Sequence, residues 1–139
     1  AQLNAIVLDA CAAIAFLRRE PGGEKVAGWL HEAARGERRL LLHRLCLGEL
    51  YYLTRSARGE KEADVHLGAL RRLPWDISGP LNFELLRLAG RLKTEHKVPY
   101  VDAVAGAWAL LNDASLATTD HAAFDRAARA RALDVLFLR

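Results

Sequence analysis

Cysteine is scarce in this sequence: its 139 residues include only two, Cys11 and Cys46. Neither belongs to a Cys-x-x-Cys pair, and the ligand-like spacing of His43 and Cys46 has no second pair to complete it. A disulfide framework and a structural zinc site are therefore disfavoured. We expect two buried thiols in a reducing, cytoplasmic compartment.

Long hydrophobic runs are also missing. No apolar stretch approaches the roughly 20 residues needed to cross a bilayer, so no membrane partner is expected. There is no basic-then-apolar leader, and secretion is not expected. Hydrophobic residues make up 52% of the chain and charged residues 27%, which excludes a mainly disordered protein and suits one domain spanning residues 1–139. The formal net charge of +3 is compatible with a nucleic-acid partner without requiring one.

Short apolar runs alternate with segments of helical periodicity along the chain. Strands are predicted at 5–8, 38–43, 74–77, 116–118 and 133–138. Helices are predicted at 10–18, 24–34, 45–57, 60–73, 80–96, 101–111 and 122–130. Alternation of this kind predicts an α/β fold: a central, mostly parallel sheet of about five strands flanked by helices.

Four acidic residues interrupt stretches that should be buried or tightly placed: Asp9, Glu49, Asp102 and Asp120. Carboxylates are rarely buried unless they are paired or bind a metal. Two carboxylates about 5 Å apart repel by roughly 3 kcal/mol at an effective dielectric constant of about 20. If the fold gathers these four side chains, a divalent cation is the simplest way to offset the repulsion.

Three of the four acids also have an ordinary structural explanation. Asp9 and Asp120 directly follow strands and can be helix N-caps, while Asp102 can be a favourable charge in a first helical turn. Glu49 is harder to dismiss, because its helix face is shared with Leu45, Cys46, Tyr52 and Leu53, which predicts an acid in an apolar stripe. Asp9 and Asp120 are also expected at the carboxyl ends of strands, where open α/β sheets bind ligands.

Four features follow one another along the chain: a strand ending at Asp9, a helix with Glu49, a helix that opens with Asp102-Ala103, and the segment Thr118-Thr119-Asp120. This ordered pattern resembles the PIN domain, specifically the VapC type of toxin ribonuclease. The resemblance runs from Ala5 to Leu138. It implies hydrolysis of RNA phosphodiesters with Mg²⁺ or Mn²⁺, an inhibitory antitoxin partner, and a homodimer. In one respect the sequence departs from the family: Cys11 stands where Ser or Thr is usual, and a thiol is the poorer hydrogen-bond donor.

Carried over residue by residue, the resemblance makes Asp9, Glu49, Asp102 and Asp120 the catalytic and metal-binding residues, with Thr118 supporting them. Asp9 and Asp102 are the first choices for direct ligands. Glu49 and Asp120 would ligate a second metal or orient the attacking water. Candidates for holding the substrate phosphates are Arg18, Arg19, Arg55 and Arg58.

Other functions remain open from sequence. Two classes are disfavoured: a haloacid-dehalogenase-type phosphatase would need an acid where Cys11 stands, and a receiver domain would need paired acids near the first strand, which are missing. An RNA-processing or DNA-directed PIN nuclease, and a PIN-like module that binds nucleic acid without cutting it, both fit the sequence.

Overall fold

A five-stranded, entirely parallel sheet forms the centre of the protein in the computed structural model, which describes residues 4–139. The strand order is β3-β2-β1-β4-β5. The strands are β1 (Ala5–Leu8), β2 (Arg39–His43), β3 (Asp76–Ser78), β4 (Ser115–Thr118) and β5 (Val135–Phe137). The predicted fold class is confirmed, and all five strand predictions fall on observed strands.

Seven helices surround the sheet within the described residues. They are α1 (Ala10–Leu17), α2 (Gly23–Ala34), α3 (Arg44–Arg58), α4 (Glu60–Leu70), α5 (Phe83–His96), α6 (Tyr100–Leu111) and α7 (His121–Arg129). Each corresponds to a predicted helix, with ends that differ by a few residues. The largest difference at a helix start is at α5, which begins at Phe83 rather than Pro80 because Asn82 caps it, accepting a 3.0 Å hydrogen bond from the Leu85 amide.

The inner strands are apolar along most of their length, because helices cover both of their faces. Val7, Leu8, Leu41, Leu42 and Leu116 are completely buried in one hydrophobic core. This is the burial expected of central strands in a parallel sheet. The core therefore fixes β1, β2 and β4 rigidly, and with them the residues that follow each strand.

Small residues let α6 approach its neighbours closely. A Cβ atom placed on Gly106 would lie 2.9 Å from Leu92 Cδ1 and 3.1 Å from Leu133 Cδ2. The close packing holds α6 against α5 and so fixes the position of its first turn.

None of the helices formed by residues 4–139 is long and apolar enough to span a membrane.

In chain order, the strands are added first on one side of β1 and then on the other. From β1 the sheet extends through β2 to β3, and on the other side through β4 to β5. At such a switch point the connections after two neighbouring strands diverge and leave a crevice at their carboxyl ends. Asp9 follows β1, and Thr119 and Asp120 follow β4.

Candidate active site

Asp9 is the most deeply buried of the four acids, with no exposed surface. Its amide donates a 3.2 Å hydrogen bond to the Ala117 carbonyl, which continues the β1–β4 pairing by one residue. Its Oδ1 caps α1 by accepting a 2.8 Å bond from the Ala12 amide, and its Oδ2 accepts the Thr118 hydroxyl. Asp9 is thus both the predicted N-cap and a fixed carboxylate at the switch point.

Thr118 links the ends of β1 and β4. Its hydroxyl donates to Asp9, and the same oxygen accepts a 2.9 Å hydrogen bond from the Asp120 amide. Asp120 in turn caps α7, accepting a 3.0 Å bond from the Ala123 amide. The hydrogen bond to a carboxylate is the supporting contact expected of Thr118, and it places Asp120 beside Asp9.

The four predicted acids act on one another electrostatically. Burial, helped by the Asp102 and Glu49 charges, raises the pKa of Asp9 to about 7, although the hydrogen bonds from Thr118 and Ala12 lower it. Burial, then Glu49 and Asp120, raise the pKa of Asp102 to about 7. Burial and then Asp120 raise the pKa of Glu49. The four carboxylates are therefore close enough for their charges to influence one another.

This negative charge is not neutralised by a basic side chain. Across residues 4–139, the salt bridges of Arg and Lys join other acids, and none reaches Asp9, Glu49, Asp102 or Asp120. Instead, the pKa values of Asp9 and Asp102 are raised to about 7, which favours their neutral forms. A group of carboxylates without a counter-charge is the environment in which a hard divalent cation binds.

The same side chains do not form a complete cage. In the part of the chain that the structure describes, no three His, Cys, Asp or Glu side chains are placed as a ready-made metal-ligand set. The donor type nevertheless fits Mg²⁺ or Mn²⁺, since both prefer oxygen ligands. Mg²⁺ in particular usually keeps several waters and takes one or two carboxylates from the protein, so a partial set is compatible with it.

The prediction that Glu49 lies within a buried apolar stripe is wrong. Only Cys46 of its expected neighbours is buried, whereas Leu45 and Leu53 are each 37% exposed and Tyr52 is 57% exposed. The buried face of α3 is Cys46, Leu50 and Thr54, which is turned about a third of a helical turn away. Glu49 therefore lies at the rim of the site, where the outer leucines of α3 are uncovered.

Tyr52 is a site residue that was not predicted from the sequence. Its hydroxyl lowers the pKa of the Glu49 carboxyl group, against the larger effects of burial and of Asp120, which raise it. The charges of Glu49 and Asp102 in turn raise the pKa of Tyr52, the Glu49 charge most. The available signal was its spacing, since Tyr52 follows Glu49 by three residues and so shares its helix face.

Cys11 and Cys46 border the carboxylates as neutral thiols. Burial, followed by the charges of Asp9, Asp120, Asp102 and Glu49, raises the pKa of Cys11 to about 12. Burial and the Asp9 charge raise the pKa of Cys46 well above its ordinary value. Neither thiol is activated as a nucleophile, since that requires a lowered pKa. Both cysteines are free, as expected, but the expected burial is found only for Cys46, since Cys11 is partly exposed.

His43 is a structural residue at the end of β2. It is completely buried, its Nδ1 accepts a 3.1 Å hydrogen bond from the Leu45 amide, and its Nε2 donates to the Pro80 carbonyl at 3.0 Å. This pattern requires one proton on the ring, and burial lowers the pKa of His43 accordingly. The residue joins the start of α3 to the loop after β3.

A cavity of about 440 Å³ lies at the opposite, amino-terminal edge of the sheet, and Ala5, Ser115 and Asp134 are among the residues that line it. None of the four acids lines this cavity. Parallel sheets bind their ligands at the other edge, so we place the functional site at the carboxylates.

Residues 6–130 match the family described as PIN domain. No curated protein sequence matches the chain significantly.

Solved structures with the same fold share little sequence with the chain. VapBC2 from Rickettsia felis, bound to a DNA fragment from its promoter, has a TM-score of 0.74 at 15% identity, covering 96% of this chain and 98% of that one. VapBC-1 from nontypeable Haemophilus influenzae has a TM-score of 0.70 at 18% identity, with the same coverage. VapC20 from Mycobacterium tuberculosis, a toxin that cleaves the sarcin-ricin loop, has a TM-score of 0.64 at 15% identity, covering 84% of this chain and 90% of that one. At these identities the likeness shows the fold alone.

Proposed function

This chain belongs to the PIN domain family, and we propose that it is a ribonuclease that uses Mg²⁺ or Mn²⁺ to hydrolyse RNA phosphodiester bonds. We further propose that it is the toxin of a VapBC-type toxin–antitoxin pair, with an antitoxin protein as its partner and a homodimer as its working form.

The observation that supports the proposal most strongly is the uncompensated negative charge at the switch point. Asp9 and Asp102 each have a pKa of about 7, raised by burial and by the other acids. A fold that gathers carboxylates without a basic partner loses stability by doing so. Such an arrangement is expected where a cation supplies the missing charge and the phosphate chemistry uses it.

The residues divide into holding and orienting groups. Asp9 and Asp102 would hold the metal, because burial and neighbouring charges raise the pKa of each to about 7 and a bound cation would offset both effects. When bound, the metal would polarise the scissile phosphate and favour ionisation of a water molecule. Glu49 and Asp120, which are less buried than Asp9, would hold a second ion or orient the attacking water. Thr118 would keep Asp9 in place.

The toxin role rests on similarity of fold. The structures from Rickettsia felis and Haemophilus influenzae are VapBC assemblies, and the mycobacterial protein is a toxin that cleaves an RNA loop. The chain covers nearly all of those chains, so an enzyme of the same size and shape is expected. An RNA-processing or DNA-directed nuclease would use the same site.

The test is cleavage of a structured RNA by the purified protein with Mg²⁺, with Mn²⁺ and with EDTA. We expect cutting with either metal and none with EDTA. Asp102→Asn should lower the rate by roughly 100-fold or more, since the lost carboxylate is a proposed metal ligand. Asp125→Asn is the matched control, because Asp125 is an acid on α7 that pairs with His121 outside the site.

Cutting that persists in EDTA, or an Asp102→Asn variant as active as the parent, would contradict the metal-site proposal.

The toxin role needs a separate experiment. Growth arrest on expression, relieved by a small co-expressed partner, would support it, whereas normal growth with an active enzyme would point to RNA processing.

A further inference from the structure

The residues that follow β5 run past the carboxyl edge of the sheet. Phe137 is the β5 partner of Thr118, and the next amide, that of Leu138, donates a 2.9 Å hydrogen bond to the Thr118 carbonyl. Leu138 is almost completely buried. Residues 137–139, called the edge segment below, therefore lie directly beside the strand end that leads into Asp120.

His121 joins the start of α7 to the edge segment. Its ring stacks on Phe137, with the ring centroids 4.0 Å apart and the ring planes 9° from parallel. Its Nε2 donates a 2.8 Å hydrogen bond to the Arg139 carbonyl. The other ring nitrogen, Nδ1, lies 3.0 Å from Asp125 Oδ1, a contact that stays within α7. Two separate contacts thus tie the first residue of α7 to another part of the fold.

These contacts are not needed to start the helix. Asp120 already caps α7, since its Oδ1 accepts a 3.0 Å hydrogen bond from the Ala123 amide. The His121 side chain is 51% exposed, so its ring adds little to the hydrophobic core. The backbone that the ring does fix is the part that carries Asp120.

Asp120 is held from two directions. On one side its amide donates a 2.9 Å hydrogen bond to the Thr118 hydroxyl. On the other side it is bonded to His121, whose ring stacks on Phe137, and Phe137 in turn pairs with Thr118. These four residues form a closed loop of contacts, so Asp120 cannot shift along the edge of the sheet unless one of the contacts breaks.

The far side of the edge segment packs against the connection between α1 and α2. The Arg139 guanidinium donates a 2.8 Å hydrogen bond to the Pro21 carbonyl. A Cβ atom placed on Gly22 would lie 2.7 Å from Leu138 Cβ, so the glycine permits this close approach. The edge segment is therefore held between the α1–α2 connection and His121, and it gives the His121 ring a fixed surface to pack on.

We propose that His121 is a positioning residue for the carboxylate site, and that its ring fixes Asp120 in the orientation that RNA cleavage requires. The inference rests on the proposed ribonuclease function and adds to it a residue that acts through Asp120 rather than on the substrate. Displacement of a catalytic group by about 1 Å can slow a reaction by about 100-fold. Loss of the ring should therefore lower the rate of the chemical step and leave substrate binding intact.

Amide hydrogen exchange measures the positioning without a catalytic assay. In His121→Ala, the amides of Asp120 and Ala123 should exchange about 10-fold faster, the factor that corresponds to the loss of one hydrogen bond. The Ala12 amide, which donates to Asp9, should exchange as it does in the parent. Equal acceleration at all three amides would show a general loss of stability and would overturn the proposal, as would no acceleration at any of them.

Ser115→Ala is the matched control for that experiment. The Ser115 hydroxyl donates to Asp134, so it joins the first residue of β4 to the residue before β5, at the amino-terminal edge of the sheet. Loss of this contact should not single out the amides of Asp120 and Ala123. Selective acceleration of those two amides in this variant as well would show that they respond to any loosening between β4 and β5, and it would overturn the role of the His121 ring.

A double-mutant cycle on RNA cleavage tests whether His121 acts through Asp120. His121→Ala should lower kcat by about 10- to 100-fold and leave KM for RNA unchanged. In an Asp120→Asn protein, whose side chain can still cap α7, His121→Ala should have no further effect on kcat. An unchanged kcat in His121→Ala, or full multiplication of the two effects in the double variant, would overturn the proposal.

These outcomes are distinct from failure of the proposed function. A parent protein that cuts RNA but shows no localised exchange response in His121→Ala would remove the His121 proposal alone. A parent protein that cuts no RNA, with the localised response still present, would remove the nuclease function and leave His121 as the residue that holds Asp120 in place.

Discussion

Asp9 shows how one residue can be both a structural cap and a functional group. One carboxylate oxygen accepts the Ala12 amide at the start of α1, and the other accepts the Thr118 hydroxyl. These bonds favour the charged form of Asp9, yet burial outweighs them and its pKa still rises to about 7. The cap explains why the residue is ordered, and its raised pKa is the feature that a cap alone would not produce.

The hydroxyl of Thr118 should be necessary for this arrangement. Thr118→Val would leave Asp9 Oδ2 and the Asp120 amide without their partner, at a cost of about 1–3 kcal/mol in the free energy of unfolding. We expect cleavage to fall with it, because Asp9 and Asp120 lose their relative position. Urea unfolding and RNA cleavage measure the two effects.

Thr118→Ser serves as the matched control for that experiment. It restores the hydroxyl without the methyl group, so it should recover most of the activity and of the stability. Equal activity in the Val and Ser variants would show that the hydrogen bonds of Thr118 are not needed.

At the scale of elements, glycine positions within the helices differ in what surrounds them. A Cβ atom placed on Gly28 in α2 would have no atom within 4 Å, whereas one placed on Gly106 in α6 would be crowded by Leu92 and Leu133. Both leucines are themselves buried in the core. Gly28 therefore contributes only chain flexibility, whereas Gly106 is required by the close packing around it.

The same substitution should have opposite effects at these two sites. Gly28→Ala should raise the free energy of unfolding by about 0.5–1 kcal/mol, because alanine loses less conformational entropy on helix formation. Gly106→Ala should lower it by about 1–3 kcal/mol, because buried leucines must move. Urea unfolding of the two variants beside the parent tests this, and equal changes of the same sign would contradict the packing of α6 against α5.

The elements could be predicted from sequence where one pattern dominated. The apolar run Ala5–Leu8 and the leucine spacing of α5 each favour one interpretation, and both elements were found. The face of α3 was not predictable, since Leu45 and Leu53 look like core residues. Periodicity indicates that a leucine lies on a given side of a helix, but not whether another element covers that side, and at α3 none of the described elements covers these two residues fully.

At the scale of the whole molecule, the sheet order turns separate motifs into one site. The acids at positions 9 and 120 are 111 residues apart in the sequence numbering, and the pairing of β1 with β4 makes them neighbours. Sequence reasoning predicted that strand-end acids would share an edge of the sheet. It could not predict the strand order, which depends on how the helices cross over and pack.

The pH dependence of stability should reflect the gathered charge. Asp9 and Asp102 have pKa values near 7 in the folded chain, against an ordinary value of 3.8. Between pH 3.8 and about 7 the folded chain therefore binds more protons at these groups than the unfolded chain, and their contribution to stability is lost as the pH rises through 7.

The prediction is clearest as a difference between two proteins. Without metal, Asp102→Asn should be more stable than the parent by about 1–3 kcal/mol at pH 8, a figure reduced for partial exposure, and the difference should shrink toward pH 5. Saturating Mg²⁺ should reverse the order, because only the parent gains from binding. Thermal unfolding at both pH values measures this, and a parent that is the more stable at pH 8 without metal would contradict it.

The most direct measurement for the central claim is calorimetric titration of Mn²⁺ into the metal-free protein. We predict saturable binding that is lost in Asp9→Asn and in Asp102→Asn, retained in Asp125→Asn, and tighter at pH 8 than at pH 6 as protons leave the two carboxylates. Absence of binding, or equal binding in all four proteins, would contradict a metal site at these residues.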